Sequence, residues 1–236
     1  MADLSQQYTT TGTPMNNFDK NNHLKKKEIL LMLLLAATTV VVAVPAFVSS
    51  LPKPLLAAHT DKPTLLAVST QSVMGTSRDF RGVKTAPYTL VEFADYQCPP
   101  CARVNKEVSS IVAKYSDKLR FQFRNFPLVE IHPMAMASAI AAEAARQQSQ
   151  FWPMHDALYS QQENLSNDTI KHLVRQCHLD EERFYADCAT NAKKVVQADL
   201  RFAEEVDLHS TPTFLLCCLN GQVIKLERLE QINEQL

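Results

Sequence analysis

From Ile29 to Val48 the chain carries an uninterrupted apolar run, and Lys25, Lys26 and Lys27 stand directly before it. A helix rising ~1.5 Å per residue would span ~30 Å over that run, the thickness of a bilayer's hydrocarbon core. The positive-inside bias keeps the lysines cytoplasmic and sends everything after Val48 outward. A cleavable signal peptide is the rival, because Val44-Pro45-Ala46 offers small residues at a cut site. Its apolar region is usually ~7–15 residues, shorter than this one. We therefore expect an uncleaved transmembrane signal-anchor over 29–48, a polar disordered tail over 1–28 on its cytoplasmic side, and a proline-bearing linker over 49–75. Both readings put the rest of the chain outside the cytoplasm, in a periplasm or lumen if tethered and secreted if cut.

Beyond the linker the pattern changes to short segments with definite periods. Tyr88 to Ala94 (YTLVEFA) is β-branched and aromatic and predicts a strand. A helix follows from about Pro99 to Tyr115, with Val104, Val108, Ile111 and Val112 at helical spacing. Residues 118–126 (KLRFQFRNF) alternate with period two, a second strand. The middle is helical: HPMAMASAIAAEAARQQ is rich in alanine, FWPMHDALYSQ has a proline suited to a first turn, and SNDTIKHLVRQC opens on the cap candidates Ser166 and Asn167. Two more helices are expected over Asp180–Ala192 and Lys193–Val206. Near the end Asn220-Gly221 separates two apolar runs, the signature of a two-residue hairpin, and LERLEQINEQL closes as an amphipathic helix.

Composition narrows the chemistry. With 24 basic and 25 acidic residues among 236, and no Lys/Arg stripe interleaved with aromatics in the folded part, the footprint of a nucleic-acid binder is missing. Only 4 glycines occur, and neither a G-x-G-x-x-G nor a Walker pattern is present, so a nucleotide cofactor is not expected.

The chemistry-bearing stretch is EFADYQCPPCARV, where Cys98 and Cys101 flank Pro99 and Pro100 in a strand-to-helix connection. Two thiols at this spacing form a redox couple, half of a metal site, or two ordinary core cysteines. A sulfur at a helix N-cap meets unpaired amides and the positive end of the helix dipole, both of which favour thiolate, so Cys98 is the candidate nucleophile. Cys101, one turn on, is placed to resolve a mixed disulfide. Pro100 lacks an amide hydrogen, leaving only the Cys101 amide of the pair an N-cap normally uses. The Cys98 thiolate is therefore expected to be less stabilised than in a C-x-x-C with a non-proline second inner residue.

VEFADYQCPPC, NFPL followed by HPMAMASAIAAEAA, FWPMHDALYSQ and STPTFLL occur in this order. Together they resemble the DsbA-like thiol–disulfide oxidoreductases of the thioredoxin superfamily, particularly the membrane-anchored or exported bacterial type, over roughly residues 78–225. The resemblance implies an α/β thioredoxin-like fold over 76–236 with a helical insertion at about 128–206. It makes Pro212 the cis-proline, with the backbone of Thr211 beside Cys98 and Pro99 and Pro100 at the substrate face. It makes Glu92 a buried acid exchanging protons with Cys101; the plain alternative is an edge-facing glutamate. No bound cofactor is required. The implied activity is dithiol oxidation of exported protein thiols, with re-oxidation by a quinone-linked membrane protein, DsbB- or VKOR-like. A reductase or isomerase uses the same residues in reverse, and a copper or zinc delivery module could use the same two sulfurs.

Other signals read as packing. Cys177 and Cys188 are expected as buried thiols, and adjacent Cys217 and Cys218 should face opposite sides of a strand. His132, His155, His172, His178 and His209 follow no metal spacing, and His209, close to Thr211-Pro212, reads as a surface histidine. Phe151 and Trp152 read as anchors of the helical insertion.

Overall fold

Strand Thr89 to Ala94 is buried on both faces, which is what an apolar run without alternation requires of a central strand. The computed structural model describes residues 62–75 and 79–236. Its elements are β1 (Thr64–Leu66), α1 (Thr70–Met74), β2 (Tyr88–Ala94), α2 (Pro99–Lys114), β3 (Leu119–Asn125), α3 (Ala135–Arg146), α4 (Phe151–Ser160), a 3-10 turn (Gln162–Asn164), α5 (Asn167–Gln176), α6 (Glu181–Asp187), α7 (Lys193–Glu205), β4 (Thr213–Cys217), β5 (Val223–Leu226) and a closing 3-10 helix (Leu229–Glu234). The five strands run in the order β1-β5-β4-β2-β3. β2 and β3 are parallel, and the other pairs are antiparallel.

Two apolar layers sandwich the sheet. On one face Leu90, Ala94, Phe121, Phe123 and Phe214 pack with α2 and the inserted helices α3 to α6. On the other, Val91, Phe93, Leu215 and Cys217 pack with Val73 of α1 and Phe202 and Ala203 of α7. The alternation of β3 separates these faces, and its polar set is covered too. Arg124 donates from Nε to Asp199 Oδ1 of α7 at 2.9 Å, with both side chains buried, and from Nη1 to the Val73 carbonyl. Gln122 donates to the Met74 carbonyl at 2.6 Å. A buried ion pair persists in this way only where the remaining polar atoms find partners.

Four expectations change. The linker over 49–75 is not all linker: Thr64–Leu66 pairs antiparallel with β5, and Ser69 caps α1 by accepting from the Ser72 amide at 3.0 Å. A three-residue strand and a five-residue helix are too short to show a period. The helices expected over 180–192 and 193–206 are joined without a break by a π-turn at Cys188–Ala192. The hairpin loop holds three residues rather than two: Cys218 N–H bonds the Gln222 carbonyl at 2.9 Å and Gly221 N–H bonds the Cys218 carbonyl at 3.1 Å. Gly221 has a φ of 83° while Asn220 does not turn positive, so the two-residue turn that needs both is replaced by a turn and bulge. The closing segment is a 3-10 helix rather than an α-helix, and its buried Leu229 and Ile232 lie three apart, matching three residues per turn.

The expected signal-anchor, its tail and the first part of the linker fall outside the described residues. Among the described residues no helix is long and apolar enough to cross a membrane.

Candidate active site

The site sits where β2 gives way to α2. Asp95, buried at the strand end, accepts from the Gln97 amide at 2.7 Å, from the Leu128 amide at 2.8 Å and pairs with His132 Nδ1 at 2.7 Å. Its own carbonyl accepts from the Cys98 amide at 3.1 Å, which folds the chain back before the helix. From the helical insertion, Gln162 Nε2 donates to the carbonyls of Tyr96 at 2.8 Å and Cys98 at 3.0 Å. The turn is thus held from two sides.

Cys98 is the N-cap of α2, with extended backbone, and Pro99 and Pro100 fill the first two helical positions. Its thiol donates to the Thr211 carbonyl at 3.4 Å. The Thr211–Pro212 peptide is cis, as the resemblance implied. Pro99 is exposed beside Cys98, while Pro100, Thr211 and Pro212 are half-buried. Cys98 retains 4% of its surface in solvent and Cys101 none, so only the first sulfur is open to a partner.

The two thiols hold their protons very differently. The Cys101 thiol's hydrogen bond brings Cys98 down from 9.0 to about 6, helped by Thr211 and the Cys101 amide and opposed by burial. Burial, the hydrogen bond to Cys98 and the charge of Glu92 push Cys101 far upward. At neutral pH the pair therefore carries its charge on Cys98 and its proton on Cys101.

Glu92 lies on central strand β2, opposite Phe123 of β3 and Phe214 of β4, on the same sheet face as Cys101. It is 1% exposed, which rules out the edge-facing alternative. Burial, and then the charge of Cys98, raises its carboxyl from 4.5 to about 8. Both oxygens are buried without a hydrogen-bond partner.

This constellation belongs to a recognised class of chain. A family model described as thioredoxin matches residues 76–236. The chain belongs to the thioredoxin family. Its fold is DsbA-like. It aligns with alpha-DsbA2 from Wolbachia pipientis at a TM-score of 0.59 and 16% identity, covering 70% of this chain and 88% of that one. A thioredoxin-like oxidoreductase from Silicibacter pomeroyi gives a TM-score of 0.59 at 24% identity, over 71% and 95% of the two chains. BdbD from Bacillus subtilis gives 0.55 at 23%, over 67% and 90%. At such identities the likeness concerns the fold. In sequence, the chain is 36% identical over 139 residues to Na(+)/H(+) antiporter NhaA 1 of Mycolicibacterium gilvum, covering 58% of this chain and 22% of that protein. The corresponding figures for NhaA 3 of Salinispora tropica are 36% over 138 residues, 58% and 21%. The chain thus spans about a fifth of the length of these curated relatives.

The remaining candidates fall where packing puts them. Cys177, Cys188, Cys217 and Cys218 are free thiols. Cys217 packs toward α1 and Cys218 toward the opposite layer, as adjacent strand residues must. His209 is largely exposed and pairs with Asp207 at 2.9 Å. Among the described residues, no three His, Cys, Asp or Glu side chains gather as metal ligands. Phe151 is buried, and Trp152 lies under the Arg81 guanidinium, 4.4 Å from its ring centroid. Sequence reasoning missed Asp95, Gln162 and the buried ring of Tyr96, His155 and Tyr159. Gln162 lies 64 residues from Cys98, and its part as a clamp leaves no local signature.

Proposed function

We propose that this thioredoxin-family protein is an extracytoplasmic thiol–disulfide oxidoreductase acting as a dithiol oxidase on exported proteins through Cys98-Pro99-Pro100-Cys101. The observation that carries the reading is the split between the two thiols beside the cis Thr211–Pro212 bond, one accessible and acidic, the other sealed over a buried carboxyl. A substrate thiolate attacks Cys98 Sγ of the disulfide; the Cys98–Cys101 bond breaks, and the Cys101 sulfur leaves with a proton from the Glu92 carboxyl. The substrate's second thiolate then attacks its own bridged sulfur, and Cys98 departs as a thiolate. Two electrons pass to the protein, and the substrate keeps the disulfide. A thiol lowered to about 6 is a good leaving group, which favours this direction.

Thr211 offers its backbone, and Pro99 and Pro100 offer their exposed edge, to an extended substrate. The apolar run 29–48 supports tethering to a membrane with the domain outside the cytoplasm. Re-oxidation requires an electron acceptor, for which a quinone-linked membrane protein of the DsbB or VKOR kind is the partner proposed.

One observation favours the reverse direction: Pro100 removes an amide that would otherwise stabilise the thiolate, which weakens the disulfide as an oxidant. Equilibrium titration of the full chain against reduced and oxidised glutathione decides between them. A potential above ~−180 mV, toward the ~−120 mV of a strong oxidant, supports the oxidase, and a thioredoxin-like ~−270 mV supports the reductase. Loss of exchange in Cys98→Ser, with trapped mixed disulfide in Cys101→Ser, is required by both. Exchange unaffected by either substitution would remove the reading.

A further inference from the structure

Behind Cys101 three buried polar atoms lack a hydrogen-bond partner: both carboxyl oxygens of Glu92 and the hydroxyl of Tyr159. Tyr159 is on α4, in the helical insertion, and its ring meets Tyr96 at 5.0 Å, His155 at 5.0 Å and Phe123 at 6.4 Å between centroids. Phe123 is the residue paired with Glu92 across the parallel strands. After burial, the charges that most oppose ionisation of Tyr159 are those of Glu92 and then Cys101. Glu92 and Tyr159 therefore both lie beside Phe123 on one side of the sheet, the carboxyl from the strand and the phenol from the helix packed on it.

The neighbouring phenol is already engaged. Tyr96 Oη lies 3.1 Å from His155 Nδ1, and His155 Nε2 lies 3.3 Å from Asn105 Oδ1, so this histidine and tyrosine satisfy each other. The titratable groups that act on Glu92 are Cys98 at the cap of α2, Cys101 of α2, Tyr96 of the turn and Tyr159 of α4; Asp95 acts on both thiols and on Tyr159, and Glu143 and Arg146 of α3 act on Tyr96. Phe214 of β4 brings no charge. Buried polar groups are almost always paired with protein or ordered water, and here a carboxyl and a phenol stand unpartnered in one otherwise apolar layer.

We propose that Glu92 and Tyr159 share a buried hydration site behind Cys101, in which the Tyr159 hydroxyl steadies the Glu92 carboxylate, making Tyr159 a positioning residue for proton transfer to and from Cys101. The step rests on the proposed thiol–disulfide exchange. When Cys101 resolves a mixed disulfide, its proton passes to the Glu92 carboxylate, its sulfur bonds Cys98 Sγ, and the partner leaves as a thiolate. Tyr159 loses no proton. It donates, directly or through the water, to the charged form of Glu92 only. The helical insertion thereby reaches the chemistry as well as covering it.

The test uses the full chain carrying glutathione in mixed disulfide with Cys98, with release of glutathione by Cys101 followed against pH. In the unaltered protein, release rises with pH through a midpoint set by Glu92, which burial holds above the usual carboxylate range while Cys98, being bonded, adds no charge. Tyr159→Phe keeps every ring contact and is expected to move that midpoint up by about one pH unit, with release about tenfold slower below it. The Cys98 thiolate midpoint should stay near 6. In a Glu92→Gln background the same substitution should change nothing. A Tyr159→Phe profile that matches the unaltered protein overturns the proposal, as does an equal effect in the Glu92→Gln background. If the unaltered protein neither forms nor resolves the mixed disulfide, the exchange activity itself falls, a result distinct from either.

Discussion

Replacing Glu92 by glutamine should stabilise the reduced protein, and by an amount that grows with pH. Burial, and then the charge of Cys98, raises the carboxyl of the folded dithiol form from 4.5 to about 8. Below pH 4.5 it is protonated in folded and unfolded chains alike, so the shift costs nothing. Between 4.5 and about 8 the unfolded chain releases the proton and the folded chain keeps it, so stability falls as pH rises, by about 1.4 kcal/mol per pH unit. From pH 5 to pH 8 this amounts to about 4 kcal/mol, and the side chain is too buried for solvent screening to reduce it much. Glutamine cannot ionise, so that pH-dependent loss disappears. Its amide adds a constant cost in the same pocket, and only the change between the two pH values isolates the carboxyl. Urea unfolding of the reduced protein and of Glu92→Gln measures it. With a slope of about 2 kcal/mol/M, the difference between their midpoints should widen by about 2 M from pH 5 to pH 8. A difference that is the same at both pH values would refute the reasoning, since it would mean that Glu92 ionises normally in the folded state.

Other consequences follow from the same geometry. Iodoacetamide should modify the reduced protein at Cys98 alone at pH 7, with a rate that rises through pH 6 and then levels, because burial pushes Cys188 to about 11 and Cys217 to about 12; peptide mapping after a timed exposure reads both points. Pro100→His restores an amide at the second helical position and should lower the Cys98 midpoint by about one pH unit, followed by thiolate absorbance. Gln162→Ala removes two bonds to the carbonyls of Tyr96 and Cys98 and should cost about 1–3 kcal/mol in urea unfolding, with faster amide exchange at 96–101. Arg124→Met leaves the buried Asp199 carboxylate without its guanidinium and should cost about 3–5 kcal/mol, part of which Arg124→Met with Asp199→Leu recovers.

What could be read in advance was what local pattern controls. Strand Tyr88–Ala94 begins and ends where its β-branched and aromatic residues do, and Ser166 caps α5 by accepting from the Thr169 amide at 3.0 Å. Cys98 at the head of a helix followed from strand, spacing and prolines together. Three features depended on tertiary partners and left little trace. β1 exists because β5 offers it an edge to pair with, which no property of Thr64–Leu66 announces. The turn after Cys218 takes three residues because register with Gln222 sets its closure. Asp95 and Gln162 matter through bonds to backbone groups far along the chain, and a glutamine among polar neighbours looks like surface until the fold brings it to Cys98.

The asymmetry of the two sulfurs comes from the order of the elements more than from the identity of the motif. A strand buried on both faces delivers Glu92 to the same face as Cys101, because residues two apart share a side and the turn after Ala94 folds α2 back over it. The helix then lifts Cys98 to its rim beside Thr211 while Cys101, one turn in, is fully buried on the side of the sheet that carries the carboxyl. Separation of charge and proton between two identical side chains then follows from one rim sulfur that accepts a hydrogen bond from one buried thiol. The insertion closes the remaining side with His155 and Tyr159, packed with Tyr96 on Phe123, and Cys101 is left with no surface in solvent. Moving Glu92 by one residue in register would send the carboxyl to the opposite face, among Val91, Phe93 and Phe202, and leave both thiols in place without the group proposed to exchange a proton with Cys101.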